Sequence, residues 1–429
     1  MVKNKQQLIL IGAAIVVAAL LVIAFTPLGE SLTFHLNQWK YRIDYALNPP
    51  EEVVFVPRTT NPAVRVETFT PTALPAETQN AATPTVGQSP TPAATPTPPP
   101  AQANITGIRY IDQHYGQNKC APATLAMALS YWGWDENPSV MDPFLMPFEF
   151  DKNVMPYELV SFVAEQTQQS VISRSGGTIE LLERLIAAGF PVMVEKGVYE
   201  RDLSGKVSWM GHYQVVSGYD RAQKRFTTQD SYHSANYIVS YQDMQRGWRS
   251  FNYTFLVIYN PEKEADLFQV LGSYADVNAA NQTAMQIGQA ESASLEGQDK
   301  FFALFNYGSS LVNLQDYYGA SQAYDQAWAY YATLPAEDRP WRIMWYQTGP
   351  YFAYYYSGRY QDLIDLATQT IDAASQPYLE ESWYWRARAY AAAGMVEEAV
   401  SDLRTSLEYH PDFSPSVALL QELGYTAEP

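Results

Sequence analysis

The chain has 429 residues, 47% of them hydrophobic, enough for two or three domains with buried cores. Its 27 Lys and Arg against 45 Asp and Glu leave a net charge of −18, and no basic stripe offsets it, which excludes nucleic acid and anionic lipid as ligands of the soluble part. A single cysteine excludes an intramolecular disulfide and a cysteine metal cluster, and the five histidines fall at no metal-ligand spacing, so no metal and no cofactor is expected.

In chain order, MVKNKQQ precedes Leu8 to Phe25, eighteen residues without a charge. That run matches a hydrocarbon core of about 30 Å at about 1.5 Å per residue. The following TPLGESL lacks an A-x-A-like cleavage site, so a retained anchor over 1–26 is expected. Lys3 and Lys5 precede the span, and the first positive charges after it are Lys40 and Arg42. This bias sets the N-terminus inside and the rest outside a cell membrane. Residues 27–58 read as a juxtamembrane segment lying against lipid or protein. Residues 59–104, as in GQSPTPAATPTPPPAQA, hold few large apolar groups and many prolines. Such a composition does not bury enough surface to order itself and favours an extended stalk, reaching roughly 140 Å at about 3.1 Å per residue.

Globular sequence begins near Ile105. Residues 105–262 combine the helical runs YELVSFVAEQTQ and TIELLERLIAAG with strand segments FPVMVEK, GHYQVVSGYD, KRFTTQD, NYIVSY and FNYTFLVIYN. This order predicts an α+β domain, helices packed on an antiparallel sheet. From 263 to 429 strand signals vanish and helical spacing takes over. Three stretches there align at their turns, LQDYYGASQAYDQAW (314–328), YSGRYQDLIDLATQTI (356–371) and AAGMVEEAVSDLRTSL (392–407). Gln315, Gly358 and Gly394 take the turn, and Ala320, Leu363 and Ala399 follow five residues later. The pattern resembles tetratricopeptide repeats, an all-α module offering a surface to a substrate or protein partner. The tyrosines of PYFAYYY (350–356), with Trp383 and Trp385, read as packing between those helices.

The stretch NKCAPATLAMALSYWGW (118–134) carries the chemistry. Pro122 suits a first helical turn, and Leu125, Leu129 and Trp132 give the helix an apolar face. Cys120 then stands at the positive end of the helix dipole, which favours a thiolate, and backbone N–H groups there are suited to an oxyanion. A lone cysteine is more often a small buried hydrophobe, so a base must be found. GHYQVVSGYD starts a strand at His212, with Gln214 and Val216 on its face and Tyr213, Val215, Ser217 and Tyr219 on the other. A hairpin loop centred near Ala222 sets His212 opposite residues 230–232, which makes Asp230 a neighbour able to hold the imidazole. His233 reads as a surface turn histidine.

QNKCAPATLAMALSYWGW, GHYQVVSGYD and the TQD after it resemble the papain-like peptidase C39 family in its stand-alone C39-like branch, over about residues 105–260. DKNVMPYELVSFV (151–163) fits the same branch. The resemblance implies Cys120 as nucleophile, His212 as base and Asp230 as orienting acid. It also implies an upstream glutamine as oxyanion donor, here Gln113, with Gln117 as the alternative. Two positions depart from the branch: Ala121 follows the cysteine where glycine is usual, and His114 occupies the glutamine's position. The resulting reading is a bacterial, membrane-anchored, extracellular cysteine peptidase acting on a peptide or protein. No GxxxxGK[ST] of a transporter ATPase occurs. The two departures motivate a second reading, a non-catalytic interaction module on the cell surface.

Overall fold

The computed structural model describes residues 99–426 apart from 117, 149, 150, 152 and 202–206, and upstream residues 39, 40, 42, 43, 47, 52 and 54–58. The expected anchor, most of the juxtamembrane segment, residues 59–98 and Gln117 lie outside them. Among the described residues, no helix is long and apolar enough to cross a membrane.

Seven strands form one sheet: β1 (Gln102–Asn104), β2 (Ser170–Arg174), β3 (Val192–Arg201), β4 (Val207–Asp220), β5 (Arg225–Asp230), β6 (Ser234–Ser240) and β7 (Phe255–Tyr259). Their order is β2-β7-β3-β4-β5-β6, β1 pairs with β4, and every pairing is antiparallel. The strands expected from the sequence are all present. β1 falls inside the stretch whose composition suggests a stalk, and the chain joins the sheet from Pro99. The Pro99 and Pro100 carbonyls accept from Arg221 and Tyr219. A three-residue strand held by backbone bonds needs no apolar pattern, so composition does not reveal it.

Helices α1 (Cys120–Ser130), α2 (Asp142–Leu145) and α3 (Pro156–Gln166) cover one face of the sheet. Leu125, Leu129, Leu159 and Phe162 meet Tyr213, Val215, Leu256 and Ile258 there. Helices α4 (Ile179–Ala187) and α5 (Tyr241–Arg249) cover the other, where Leu181, Leu185 and Trp248 meet Val194, Val216, Phe226 and Phe255. α1 is buried all round from Ala121 to Leu129, rather than on one stripe, because Met141, Leu145 and Leu159 close over the side away from the sheet.

The strict alternation expected along β4 fails at one place. The β4–β5 register slips between Val216 and Gly218, so Tyr219 joins the Val216 side instead of the Tyr213 side. A β-bulge inserts one residue and changes the phase of everything beyond it.

The described residues from Glu264 onward are helical: α6 (Glu264–Leu271), α7 (Val277–Ser294), α8 (Gly297–Asn313), α9 (Tyr317–Tyr331), α10 (Ile343–Tyr346), α11 (Gly349–Tyr356), α12 (Tyr360–Ala373), α13 (Glu380–Ala392), α14 (Val396–Tyr409) and α15 (Ser414–Glu422). Gln315, Gly358 and Gly394 all adopt positive φ, at 63°, 73° and 80°. The residue after each donates its N–H back to a carbonyl five residues earlier. These bonds are Asp316 to Leu311, Arg359 to Tyr354 and Met395 to Tyr390, at 2.9, 2.8 and 2.9 Å. All three helices therefore end in the same left-handed closure. Ala320, Leu363 and Ala399 are fully buried at the following helix contacts.

The helical part shares a core with the sheet. Trp209 of β4 stacks on Phe251 with ring centres 5.4 Å apart and also contacts Phe302 and Tyr346. Arg249 at the end of α5 pairs with Glu291 and Asp299 at 3.0 and 2.8 Å. Trp209→Ala is expected to remove about 3–5 kcal/mol of stability, read as a lower urea midpoint. A loss of less than about 1 kcal/mol would contradict a shared, well-packed core.

Candidate active site

Cys120 is the first residue of α1 and is half-buried. The turn leading to it is clamped from both sides. Asn118 takes a left-handed φ of 55° and its side-chain amide donates to the Asp151 carbonyl at 2.5 Å. Lys119 is buried and its Nζ lies 3.0 Å from Asp142 Oδ1. No side chain caps α1, so backbone donors at its start are left for another acceptor. Ala121 is buried inside the helix with right-handed backbone, a conformation in which alanine is favoured over glycine.

His212 sits in β4 at 5% exposure, and its Nε2 lies 2.9 Å from Oδ1 of Asp230, the last residue of β5. Val215 pairs with Gln229 and Val216 with Thr228, so the register brings Asp230 opposite Gln214, on the same face as His212. The imidazole is also coupled to the Cys120 thiol. Burial on its own would lower the imidazole pKa. The hydrogen bonds to Asp230 and Cys120, with their charges, outweigh it and push the value up to about 9.

Asp230 is fully buried and collects donors to match its charge. Gln214 Nε2 donates at 2.5 Å, the Tyr232 and His233 backbone N–H groups at 3.0 and 3.2 Å, and His233 Nδ1 lies at 3.3 Å. Burial would raise its pKa, but the hydrogen bond from His212 and the charges of His212 and His233 hold it well below the carboxylate range.

Gln113 is tied to the residue after Asp230. Its backbone N–H donates to the Ser231 carbonyl at 2.9 Å, and Ser231 Oγ donates to its Oε1 at 2.8 Å. His114 turns to Asp112, with Nδ1 2.5 Å from Oδ1. Tyr232 bridges the two imidazoles, its ring 5.2 Å from His114 and 6.5 Å from His212.

Sequence reasoning missed three residues here. His233 is the exposed turn histidine expected, and what was missed is its contact with Asp230. Gln214 shares the His212 face and holds the second carboxylate oxygen, a role legible in the alternation of H-Y-Q. Glu195 of β3 pairs across from Tyr213 and is buried, and burial pushes its carboxyl well above the ordinary range. No local signal marks Glu195, because its neighbours come from other elements.

Among the described residues, one group has the reach to hold a metal ion: Asp151, Glu380 and His410 bring ligand atoms within 4.8 Å of one another. Burial and the Glu381 charge push the Glu380 carboxyl well up, and burial lowers His410 to about 4. At neutral pH His410 carries no charge.

Residues 105–255 match the Peptidase C39-like family. Among solved structures, a C39-like peptidase from Bacillus anthracis is 16% identical, covering 37% of this chain and 96% of that one with a TM-score of 0.30. No curated protein matches.

A histidine whose pKa rises on folding adds stability that is complete below about 6.5 and is lost as pH climbs through about 9. In a histidine-resolved NMR titration His212 is expected near that value, and Asp230→Asn is expected to lower it. An unchanged titration in the variant would remove Asp230 as the controlling partner.

Proposed function

We propose that the chain is a cysteine peptidase acting through Cys120, His212 and Asp230. The observation that carries this reading is the placement of His212 between the Cys120 thiol and the Asp230 carboxylate. Nε2 faces Asp230, which leaves Nδ1 to take the thiol proton. The thiolate attacks a peptide carbonyl carbon, and the carbonyl oxygen becomes an oxyanion. The Cys120 backbone N–H and the Gln113 side-chain amide are the assigned donors to it. The intermediate collapses as His212 passes its proton to the leaving amine, and a thioester remains. Water then adds with His212 as base, releasing the acid and restoring the thiol.

An imidazole raised to about 9 is charged at neutral pH, the partner a thiolate requires. Ala121 sits in ordinary helical backbone, which removes one of the two grounds for a non-catalytic reading.

The rest of the reading is a bacterial surface enzyme held by Leu8 to Phe25 with its N-terminus inside. Its helical part would be a tetratricopeptide-like module for a substrate or protein partner. The three equivalent turn closures support that module.

Because Cys120 is the sole cysteine, iodoacetamide uptake reports on it alone. His212→Ala is expected to slow both alkylation near neutral pH and hydrolysis of a peptide library, the latter by about 10²–10⁴-fold. Cys120→Ala is the blank. A thiol indifferent to His212 would sink the peptidase reading. Alkaline carbonate extraction should leave the chain with the membrane, and deletion of 8–25 should release it. Full-length chain in the soluble fraction would overturn the anchor.

A further inference from the structure

Residues 52 and 54–58 lie against the helical module, some 300 residues away in sequence, and make no regular secondary structure. Phe55 is buried at 3% exposure, with its ring 5.8 Å from Trp328 of α9 and 6.0 Å from Tyr354 of α11. Three residues later the Arg58 guanidinium reaches Asp365 at 2.8 Å, and its N–H donates to Asp362 Oδ1 at 2.7 Å, both on α12. Three residues before Phe55, Glu52 meets Arg339 and the Tyr331 hydroxyl, each at 3.3 Å. Val56 between the anchors is 72% exposed.

This is how a bound peptide is held rather than how a core strand is woven in. Two or three anchors carry the contact, and among the described residues the segment's one backbone hydrogen bond is that of Arg58. A small cavity remains beside Phe55, lined by Trp328, Leu366 and Gln369 among others, and Trp328 Nε1 and Gln369 Oε1 are buried without a partner among the described residues.

We propose that the furrow across α9, α11 and α12 is a peptide-recognition site for an extended segment carrying an aromatic residue and, three positions on, an arginine. Residues 52–58 are its resident ligand in cis, replaceable by a second segment of the same chemistry. The aromatic ring enters the Trp328–Tyr354 pocket, and Asp362 with Asp365 reads the arginine and the amide beside it. The covalent connection gives the resident segment an effective concentration of about millimolar, so a ligand in trans must exceed that to displace it. The site is independent of the chemistry at Cys120.

The test uses the full chain and a fluorescein-labelled peptide of sequence PEEVVFVPRTT, followed by anisotropy. Wild-type chain is expected to bind it weakly. Arg58→Glu, a change at a largely exposed side chain, releases the resident segment and is expected to tighten peptide binding about tenfold or more. Adding Asp365→Arg should abolish that gain, because it repels the peptide's arginine and gives the resident segment back an ion pair. Thermal melts of the variants within a few degrees of wild type keep a folding defect from mimicking the result. Equal binding to wild type and Arg58→Glu, or binding insensitive to Asp365→Arg, overturns the proposal. So does Phe55→Ala chain that stays folded yet takes up no peptide.

Discussion

One strand, β4, has to satisfy four different neighbours along fourteen residues, and the remaining structure is arranged around that constraint. Trp209 belongs to a core shared with the helical part, His212 to Asp230 and Cys120, and Tyr213 to the core under α1. Tyr219 reaches the carbonyl of Pro100, where the chain enters the sheet. A strand offers only two faces, so these duties are compatible only because its phase changes at the bulge between Val216 and Gly218. The strand is correspondingly buried over most of its length, and little in it is open to drift.

The His212–Asp230 contact shows what it takes to keep a charge inside such a sheet. A buried carboxylate is costly unless its oxygens are fully used. Asp230 meets that condition with donors from β4 and from its own turn, chiefly Gln214, Tyr232 and His233. With both oxygens engaged, the carboxylate has little freedom to rotate, and the imidazole inherits that fixed direction. The turn Ser231–His233 therefore does two jobs. It supplies donors to Asp230, and through Ser231 it holds Gln113.

Much of this was legible in the sequence because it rests on local pattern. Alternation along GHYQVVSGYD and a short polar loop sufficed to bring Asp230 beside His212. The repeat alignment at Gln315, Gly358 and Gly394 was legible for the same reason, since a left-handed helix end leaves a small or polar residue at a fixed offset. What was hidden is non-local. Glu195 has its carboxyl pKa raised by burial among residues from other elements, and Asp151 lies more than two hundred residues from Glu380 and His410 before folding. Tyr219 changed sides through a bulge that no composition announces. The contact of the exposed turn residue His233 with Asp230 was hidden because a turn histidine looks the same whether or not a buried carboxylate lies behind it. The placement of 52–58 was invisible for a different reason: a few anchoring side chains leave no periodicity to detect.

The docked segment also sets how the molecule would bear a pull. Tension applied to the chain upstream of Glu52 enters the helical module first, through Phe55 and Arg58. Only after those anchors shear would the load pass along residues 59–98 to β1, whose three residues pair with β4. The forty intervening residues would then act as slack, paying out roughly 120 Å at about 3.1 Å per residue before the sheet felt any force. Under load the Pro/Thr-rich stretch would thus set how much chain is released once that mechanical fuse gives way.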